Sequence, residues 1–250
     1  MPYSADFFTS HRAGSASSAA RMVPLILELT GATSAIDVGC GIGTWLAEFT
    51  AHGVADVLGV DGAWVNPGQL VIPRDKFVAA NLALELPVKR AFDLAISMEV
   101  AEHLPESSAD RFVESLTALA PIVVFSAAIP MQGGTDHVNE QWPGYWAAKF
   151  DARGYRAIDC LRPLAWGADD VEWWYAQNTI VYASDRALAA SERLRAAHAR
   201  HGGEPLPLVH PRCLMARVAQ PIGLRRMLRE FPGAIAGAFR ARAGGGGQSP

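Results

Sequence analysis

The hydrophobic pattern of the chain switches repeatedly between short apolar runs and longer stretches with a helical period. Apolar runs of strand length lie at 34–38, 57–60, 77–80, 91–98, 122–127, 155–160 and 179–183. Stretches with helical spacing lie at 15–29, 44–52, 108–119 and 145–154. Strands that alternate with helices and end in a closing pair of strands predict an α/β fold with an open, doubly wound sheet.

The composition changes after Ser184. Residues 186–250 carry eleven arginines, no lysine and three acids, a net charge of +8, whereas residues 1–185 carry −11. Arginines accompany apolar residues along predicted helices at 185–201, 213–231 and 233–243, and the chain ends in a glycine-rich segment. We therefore predict one domain over 1–184 and a helical, Arg-rich appendage with a flexible tail over 185–250.

The composition also excludes several classes of protein. Half of the 250 residues are hydrophobic and 19% are charged, which is the composition of a chain with a buried core. The cysteines at 40, 160 and 213 are too few and too widely spaced for a disulfide framework or a zinc pattern, so we expect a reduced, cytoplasmic setting. No apolar run approaches the roughly 18 residues of a membrane span, and no secretion signal is visible.

A glycine-rich turn, Asp37-Val-Gly-Cys-Gly-Ile-Gly43, separates the first predicted strand from the first helix of the alternating pattern. Glycines there permit a tight turn and let a ligand approach the backbone, at a helix start that presents free N–H groups. The turn lacks the Lys-Ser/Thr of a phosphate-binding P-loop, and Thr44 stands where a dinucleotide fingerprint requires glycine. Asp61 ends the second strand, where an acid can hold a ribose diol.

This turn resembles the first motif of class I S-adenosylmethionine-dependent methyltransferases. Over residues 15–184 the resemblance implies a Rossmann-like sheet of seven strands, with the last strand antiparallel and inserted beside the fifth. It implies that a leading helix closes over the cofactor, that Asp61 holds the ribose and that Asn81 reads the adenine. The cofactor residues implied are Asp37, Gly39, Cys40, Gly41, Gly43, Trp45, Asp61, Asn81, Leu82 and Met98.

Glu99, Glu102 and His103 follow the fourth strand at spacings of three and one. A helical turn there would place all three side chains on one face, where two crowded carboxylates need a proton, an arginine or a metal ion. Oxygen and imidazole ligands suit Mg²⁺ or Mn²⁺. The spacing resembles the Glu-x-x-Glu-His motif of ubiquinone-pathway O-methyltransferases and of small-RNA 2′-O-methyltransferases. The latter add a downstream histidine, for which His137 stands in the matching place, so the implied metal ligands are Glu99, Glu102, His103 and His137.

These residues predict methyl transfer from S-adenosylmethionine to a hydroxyl of a small molecule or glycan, assisted by a divalent metal. The alternatives are RNA 2′-O-methylation, metal-free transfer with His103 or His137 as the catalytic base, and a non-catalytic protein that keeps the fold. The Arg-rich end predicts either peripheral contact with an anionic membrane or packing against the domain or a homodimer partner. The aromatic residues Trp142, Trp146, Trp173, Trp174 and Tyr175 belong either to the core or to a substrate wall.

Overall fold

The structure is a computed structural model that describes residues 5–219, with side chains described from residue 13 onward. A first compact unit ends at Cys213, and a second begins at Leu214. The amphipathic stretches predicted at 213–231 and 233–243, and the glycine-rich tail, lie wholly or largely outside the described residues.

A seven-stranded sheet forms the centre of the first unit. Its strands are β1 (Ser34–Val38), β2 (Asp56–Asp61), β3 (Phe77–Ala79), β4 (Leu94–Met98), β5 (Ile122–Ser126), β6 (Tyr155–Ile158) and β7 (Ile180–Ser184). Their order is β3-β2-β1-β4-β5-β7-β6. Strands β1 to β5 pair in parallel, and β7 lies antiparallel between β5 and β6. The predicted α/β fold, including the last strand beside the fifth, is confirmed.

The helices cover both faces of this sheet. They are α1 (Ala5–Thr30), α2 (Thr44–Ala51), α3 (Ala109–Leu119), α4 (Pro143–Asp151), α5 (Arg162–Ala165), α6 (Trp173–Asn178), α7 (Asp185–Ala190), α8 (Glu192–His201) and α9 (Pro211–Val218). Short 3₁₀ turns occupy Arg74–Lys76, Ala101–His103 and Glu106–Ser108. The sequence did not predict α5 or α6, and the single helix expected over 185–201 is divided at Ser191, whose side chain caps α8.

Alternate residues of each central strand face opposite sides of the sheet. Ile36 of β1 packs in a cluster with Phe112 of α3 and Trp146 of α4. Its neighbour Ala35 packs in the other cluster, which includes Met22 of α1. Because both faces are covered, the central strands are largely apolar, which is typical of parallel sheets.

The segment after β7 packs on the sheet up to Cys213. Leu194 of α8 is fully buried, in a cluster shared with α1. The buried guanidinium of Arg162 donates to the backbone oxygen of Leu206 at 3.0 Å. The compact unit therefore extends beyond Ser184, where the composition changes. No helix within residues 5–219 is both long and apolar enough to span a bilayer.

Candidate active site

The glycine turn joins the end of β1 to the start of α2. Gly39, Gly41 and Gly43 have φ angles of 92°, 54° and 89°, which side-chain-bearing residues rarely adopt. A Cβ atom added to Gly39 would lie 2.3 Å from Cγ2 of Val100, and one added to Gly43 would lie 2.7 Å from Ile72. Glycine is therefore required at both positions for the backbone conformation and for the space.

Asp61 connects β2 to this turn through both carboxylate oxygens. Oδ2 accepts a hydrogen bond from the Gly41 N–H at 2.7 Å, and Oδ1 accepts one from the Gly62 N–H at 2.6 Å. Burial raises the pKa of Asp61, and these two N–H groups act in the opposite direction. Each oxygen keeps a further acceptor position, so the carboxylate can bind a ligand hydroxyl while it holds the turn.

Asp37 lies near the carboxyl end of β1 and is 2% exposed. Its Oδ1 atom is buried and has no hydrogen-bond partner among the described residues. Burial, and then the charge of Asp61, raise the pKa of Asp37 well above its ordinary value. A buried acceptor without a partner is uncommon in folded proteins, so Asp37 is suited to a cationic or hydrogen-bond-donating ligand group.

A cavity of about 630 Å³ opens beyond the carboxyl ends of the central strands. Of the residues predicted for the cofactor and the metal, all except Gly43 and Asn81 line it. Gly43 caps α2 instead. Asn81 is exposed, and its Oδ1 accepts from the Ala83 N–H at 3.0 Å in a local turn, so the structure does not bring it to the cavity wall. Its predicted contact with adenine stays a prediction.

Glu99 follows β4 in a left-handed backbone conformation, with φ of 56°. The helical turn predicted from Glu99 onward is therefore wrong at its first residue; a 3₁₀ turn begins only at Ala101. The Glu99 carboxylate accepts hydrogen bonds from Gln132 Nε2 at 2.8 Å and Asn178 Nδ2 at 2.9 Å. Burial raises the pKa of Glu99 to about 7, although these amides act against the rise. A strained residue held this firmly is typical of functional sites.

The amides that hold Glu99 belong to a buried network that the sequence analysis did not predict. Gln177 Nε2 donates to Gln132 Oε1 at 2.9 Å and to Asn178 Oδ1 at 3.0 Å. Gln177 Oε1 in turn accepts from the His210 N–H at 2.8 Å. These residues are distant in sequence and carry no local motif, so only the tertiary structure reveals their association.

Glu102, His103 and His137 offer ligand atoms that all lie within 4.8 Å of one another. The backbone explains this association, because the Glu102 carbonyl oxygen accepts from the N–H groups of Val138 and Asn139 at 2.9 and 3.0 Å. These bonds hold the loop that carries His137 beside the 3₁₀ turn. The two imidazole rings meet edge to face, with centroids 4.8 Å apart.

The ionisation of this cluster is strongly perturbed. Glu102 is fully buried, and neither carboxylate oxygen makes a hydrogen bond of normal geometry within the described residues. Burial, and then the charge of Glu99, raise the pKa of Glu102 well above its ordinary value. Burial, followed by the neighbouring His137, lowers the pKa of His103 to about 4. The site therefore holds an acid that resists ionisation beside a neutral imidazole.

Glu140 orients His137. Its Oε1 lies 2.9 Å from His137 Nδ1, and its carboxylate also accepts from the backbone N–H groups of Met131 and Gly133. Because Nδ1 is engaged by Glu140, Nε2 is the nitrogen left for a ligand. Carboxylates commonly fix metal-binding histidines in this way, and the spacing of three residues was a signal that the sequence analysis missed.

The cluster fits a divalent cation. A carboxylate and two imidazoles are suitable ligands for Mg²⁺ or Mn²⁺, and the unpartnered oxygens of Glu102 require a positive charge or a proton. Ligand atoms of such an ion lie about 3 Å apart when adjacent and about 4.2 Å apart when opposite, so side-chain rotations must bring the three atoms closer together. Glu99 is not part of this group among the described residues, and its predicted role as a ligand stays a prediction.

Four of the five aromatic residues divide between core and cavity, whereas Trp142 is 40% exposed and belongs to neither. Trp146 is 2% exposed and packs against Phe125 in the core. Trp173, Trp174 and Tyr175 line the cavity from helix α6. Both readings of the aromatic positions in the sequence are therefore represented, and the cavity has an aromatic wall.

A turn, an acid and a cavity of this kind define a nucleoside-binding enzyme of the α/β class. Residues 11–156 match the family model described as a methyltransferase domain, so the chain belongs to that family. The protein is an S-adenosylmethionine-dependent methyltransferase. No curated protein matches the chain.

Solved structures of methyltransferases share this fold. The sugar N-methyltransferase KedS8 from Streptoalloteichus has 16% identity and a TM-score of 0.56, over 74% of this chain and 94% of its own. An O-methyltransferase, described as putative, from Nostoc punctiforme has 13% identity and a TM-score of 0.54, over 71% and 59%. Magnesium protoporphyrin IX methyltransferase from Synechocystis, solved with bound S-adenosylhomocysteine, has 15% identity and a TM-score of 0.51, over 71% and 88%. At these identities the likeness concerns the fold alone.

Proposed function

We propose that the protein transfers the methyl group of S-adenosylmethionine to a hydroxyl oxygen of a small molecule or glycan, with the help of a divalent cation. The observation that carries this proposal is the association of Glu102, His103 and His137, in which the buried oxygens of Glu102 have no described hydrogen-bond partner. These three residues are proposed to hold Mg²⁺ or Mn²⁺. A bound divalent cation lowers the pKa of a hydroxyl group and positions its oxygen.

Other residues are proposed to bind the cofactor and to position His137 and Glu99. The glycine turn and Asp61 bind the cofactor, and Asp37 supplies an acceptor for its amino group. Glu140 holds His137 in one tautomer, with the proton on Nδ1. Gln132 and Asn178 hold the Glu99 carboxylate at the cavity wall, between the cofactor residue Met98 and Glu102 in the chain.

Metal-free transfer is the second candidate, and the contact between His137 and Glu140 favours it. A histidine whose Nδ1 is fixed by a carboxylate is also the arrangement of a general base, with Nε2 free to accept the acceptor's proton. RNA as acceptor stays a prediction, because the Arg-rich segment that favours it is described only as far as residue 219. Peripheral membrane contact and a homodimer stay predictions for the same reason.

Metal titration tests the proposal without knowledge of the acceptor. Apo protein prepared with a chelator should bind one Mn²⁺ per chain, measured by electron paramagnetic resonance of the free ion. Glu102→Gln and His137→Ala should each weaken Mn²⁺ at least about tenfold. Their affinity for S-adenosylhomocysteine, measured by calorimetry, should stay that of the wild type, because the glycine turn is a separate site.

The matched control is Glu106→Gln, which neutralises an exposed acid outside the cavity wall a few residues away. It should bind Mn²⁺ as the wild type does. A wild-type protein that binds no stoichiometric metal contradicts the proposal. If, in addition, His137→Ala lowers the rate with a hydroxyl acceptor by about 10²-fold or more while a chelator has no effect, the general-base candidate is supported instead.

A further inference from the structure

The wall of the cavity is acidic. Among the described residues that line it, five carry carboxylates and none is lysine or arginine. The five are Asp37, Asp61, Glu99, Glu102 and Asp136. Burial raises the pKa values of Asp37, Glu99 and Glu102 and so neutralises part of this charge, but the wall offers an entering anion no lysine or arginine as a partner. A cleft with charges of one sign concentrates ligands of the opposite sign and repels those of its own.

Two of these acids have buried oxygens without a described partner. They are Asp37 Oδ1 at the cofactor end, and both carboxylate oxygens of Glu102 beside the histidines. The two side chains are 2% and 0% exposed, and both line the cavity. Oxygens buried in this way without a partner favour a ligand group that donates a hydrogen bond or carries a positive charge over one that only accepts hydrogen bonds.

An aromatic surface lies close to the Glu99 carboxylate. Trp173 and Trp174 line the cavity at the start of α6, and Asn178 at its end donates to Glu99. Asn178 follows Trp173 by five positions in helix α6, which corresponds to an axial rise of about 7.5 Å. The face of an indole ring attracts C–H groups of a ring and, more strongly, a cation. The indole faces themselves offer a phosphate no cationic partner.

Asp136 stands at the exposed part of this wall, one residue before His137. It has a left-handed backbone, with φ of 57°, in a loop where Met131 and Gly133 also have positive φ. Its side chain is exposed, and its charge acts on His103, where it favours the protonated ring. It is the acid that an incoming acceptor meets beside the reactive cluster.

We propose that the acceptor is a hydroxylated ring that is uncharged or cationic, that it packs against Trp173 and Trp174, and that Asp136 sets this charge selectivity. Acceptors that carry phosphate, sulfate or carboxylate groups are rejected. The inference rests on the proposed function, because it names the class of acceptor for that site. It also disfavours RNA, whose phosphodiester backbone is anionic, as the acceptor.

Charged paramagnetic probes read this selectivity directly. The protein is labelled with 5-fluorotryptophan, saturated with S-adenosylhomocysteine and Mg²⁺, and its ¹⁹F resonances are assigned with Trp173→Phe and Trp174→Phe. A trimethylammonium nitroxide should broaden the Trp173 and Trp174 resonances about threefold more than a carboxylate nitroxide, because a potential of about half of kT per unit charge changes the two local concentrations in opposite directions. A ratio of one or less overturns the proposal.

Asp136→Asn tests the assigned residue, and asparagine tolerates the left-handed backbone that Asp136 requires. The ratio of the two broadening effects should fall towards one in this variant. The control Asp170→Asn removes one exposed acid outside the cavity wall and should leave the ratio unchanged. If the broadening ratio is unchanged in Asp136→Asn, or falls equally in Asp170→Asn, the proposed role of Asp136 in charge selectivity is wrong.

Matched acceptor probes extend the test to the ring itself. Saturation-transfer NMR compares glucosamine with glucose 6-phosphate, and catechol with dihydroxybenzoate, so that the two pairs distinguish a sugar from a phenol. The anionic member of each pair should bind at least about tenfold more weakly, and equal or tighter binding of the anionic members overturns the inference. Neither readout requires methyl transfer or metal chemistry, so failure here is distinct from failure of the metal titration.

Discussion

Nδ1 of His137 lies 2.9 Å from Oε1 of Glu140, three residues further along the same loop. The same carboxylate accepts the backbone N–H groups of Met131 and Gly133, so it organises the loop as well as the ring. One acid thus determines both where His137 lies and which of its nitrogens faces the cluster with Glu102 and His103.

Glu140→Gln should therefore weaken metal binding without touching the proposed ligands. The amide keeps one acceptor for the loop, but it loses the charge that favours a proton on His137 Nδ1. Loss of such a supporting carboxylate typically costs about 10–100-fold in metal affinity. We expect this loss in an Mn²⁺ titration, with unchanged binding of S-adenosylhomocysteine. Glu114→Gln, at an exposed position of α3, serves as the control, and equal Mn²⁺ affinity in both variants contradicts the role of Glu140.

Asp61→Ala should weaken cofactor binding. It removes the proposed acceptor of the ribose hydroxyls and leaves the N–H groups of Gly41 and Gly62 without their partner. A hydrogen bond to a charged group contributes about 1.5–3 kcal/mol, so calorimetry with S-adenosylhomocysteine should show at least a tenfold loss. Asp56→Asn, at the opposite end of β2, should bind normally. Wild-type affinity in a folded Asp61→Ala protein excludes the assignment.

Gly39→Ala and Gly53→Ala form a matched pair, because both glycines have φ of 92°. An added Cβ would lie 2.3 Å from Val100 at position 39, whereas nothing lies within 4 Å at position 53. The left-handed backbone alone should cost Gly53→Ala about 1–2 kcal/mol in urea unfolding. Gly39→Ala should lose a further 1–3 kcal/mol or so from the forced contact, together with cofactor binding. Equal losses in the two variants would show that the turn tolerates a side chain.

The parts of this molecule that the sequence predicts are those with a local physical signature. Alternating apolar runs identify all seven strands, since a buried parallel strand needs apolar residues on both faces. The glycine turn can be predicted because its left-handed backbone conformation admits few residues other than glycine. The position of Asp61 can be predicted because the end of a parallel strand adjoins the turn. The fold and the cofactor half of the site follow from these features.

The parts that escape prediction depend on distant residues or on backbone strain. The spacing from Glu99 to His103 indicates a helical turn, but Glu99 adopts a left-handed conformation and is held by Gln132 and Asn178 instead. Asn81 stands at the expected strand end, yet its side chain bonds to Ala83. Nothing in the local sequence distinguishes a strand-end amide that turns back on its own backbone from one that faces a ligand.

Truncation tests whether the segment that follows Ser184 stabilises the fold. A chain that ends at Ser184 loses the buried Leu194, the carbonyl of Leu206 that accepts from Arg162, and the His210 N–H that contacts Gln177. Burial of one leucine contributes about 1.5–3 kcal/mol, so this chain should unfold at clearly lower urea than one that ends at residue 219. Equal midpoints would contradict the packing of α8 on the sheet.

The chain that ends at residue 219, compared with the full-length protein, tests the predicted membrane contact. Full-length protein should sediment with anionic vesicles, and the chain that ends at residue 219 should not, because it lacks five of the eleven arginines after residue 185. Sedimentation of both chains would place the contact elsewhere, and sedimentation of neither would remove the prediction.

The metal-free protein should become less stable as pH rises from about 5 to 7.5. Burial raises the pKa of Glu99 from 4.5 to about 7, so between these values the folded state binds a proton that the unfolded state has lost. Stability is then fully present below pH 4.5 and is lost as pH rises through 7, by about 3 kcal/mol for this group. Glu102 and Asp37, whose pKa values are also raised by burial, add in the same direction, whereas His103, whose pKa is lowered to about 4, acts in the opposite direction up to about pH 6.5.

Chemical unfolding at several pH values in the presence of a chelator measures this slope. Glu99→Gln should flatten it, because the amide does not ionise. The carboxyls of Asp56 and Asp93 do not mask the effect, because their pKa values are lowered and their stabilising contribution is fully present, and constant, above about pH 5. Mg²⁺ or Mn²⁺ should remove the decline, because a cation binds the ionised carboxylates and stabilises the folded state increasingly as pH rises. A metal-free protein whose stability rises steadily from pH 5 to 7.5 contradicts a buried, protonated pair at Glu99 and Glu102.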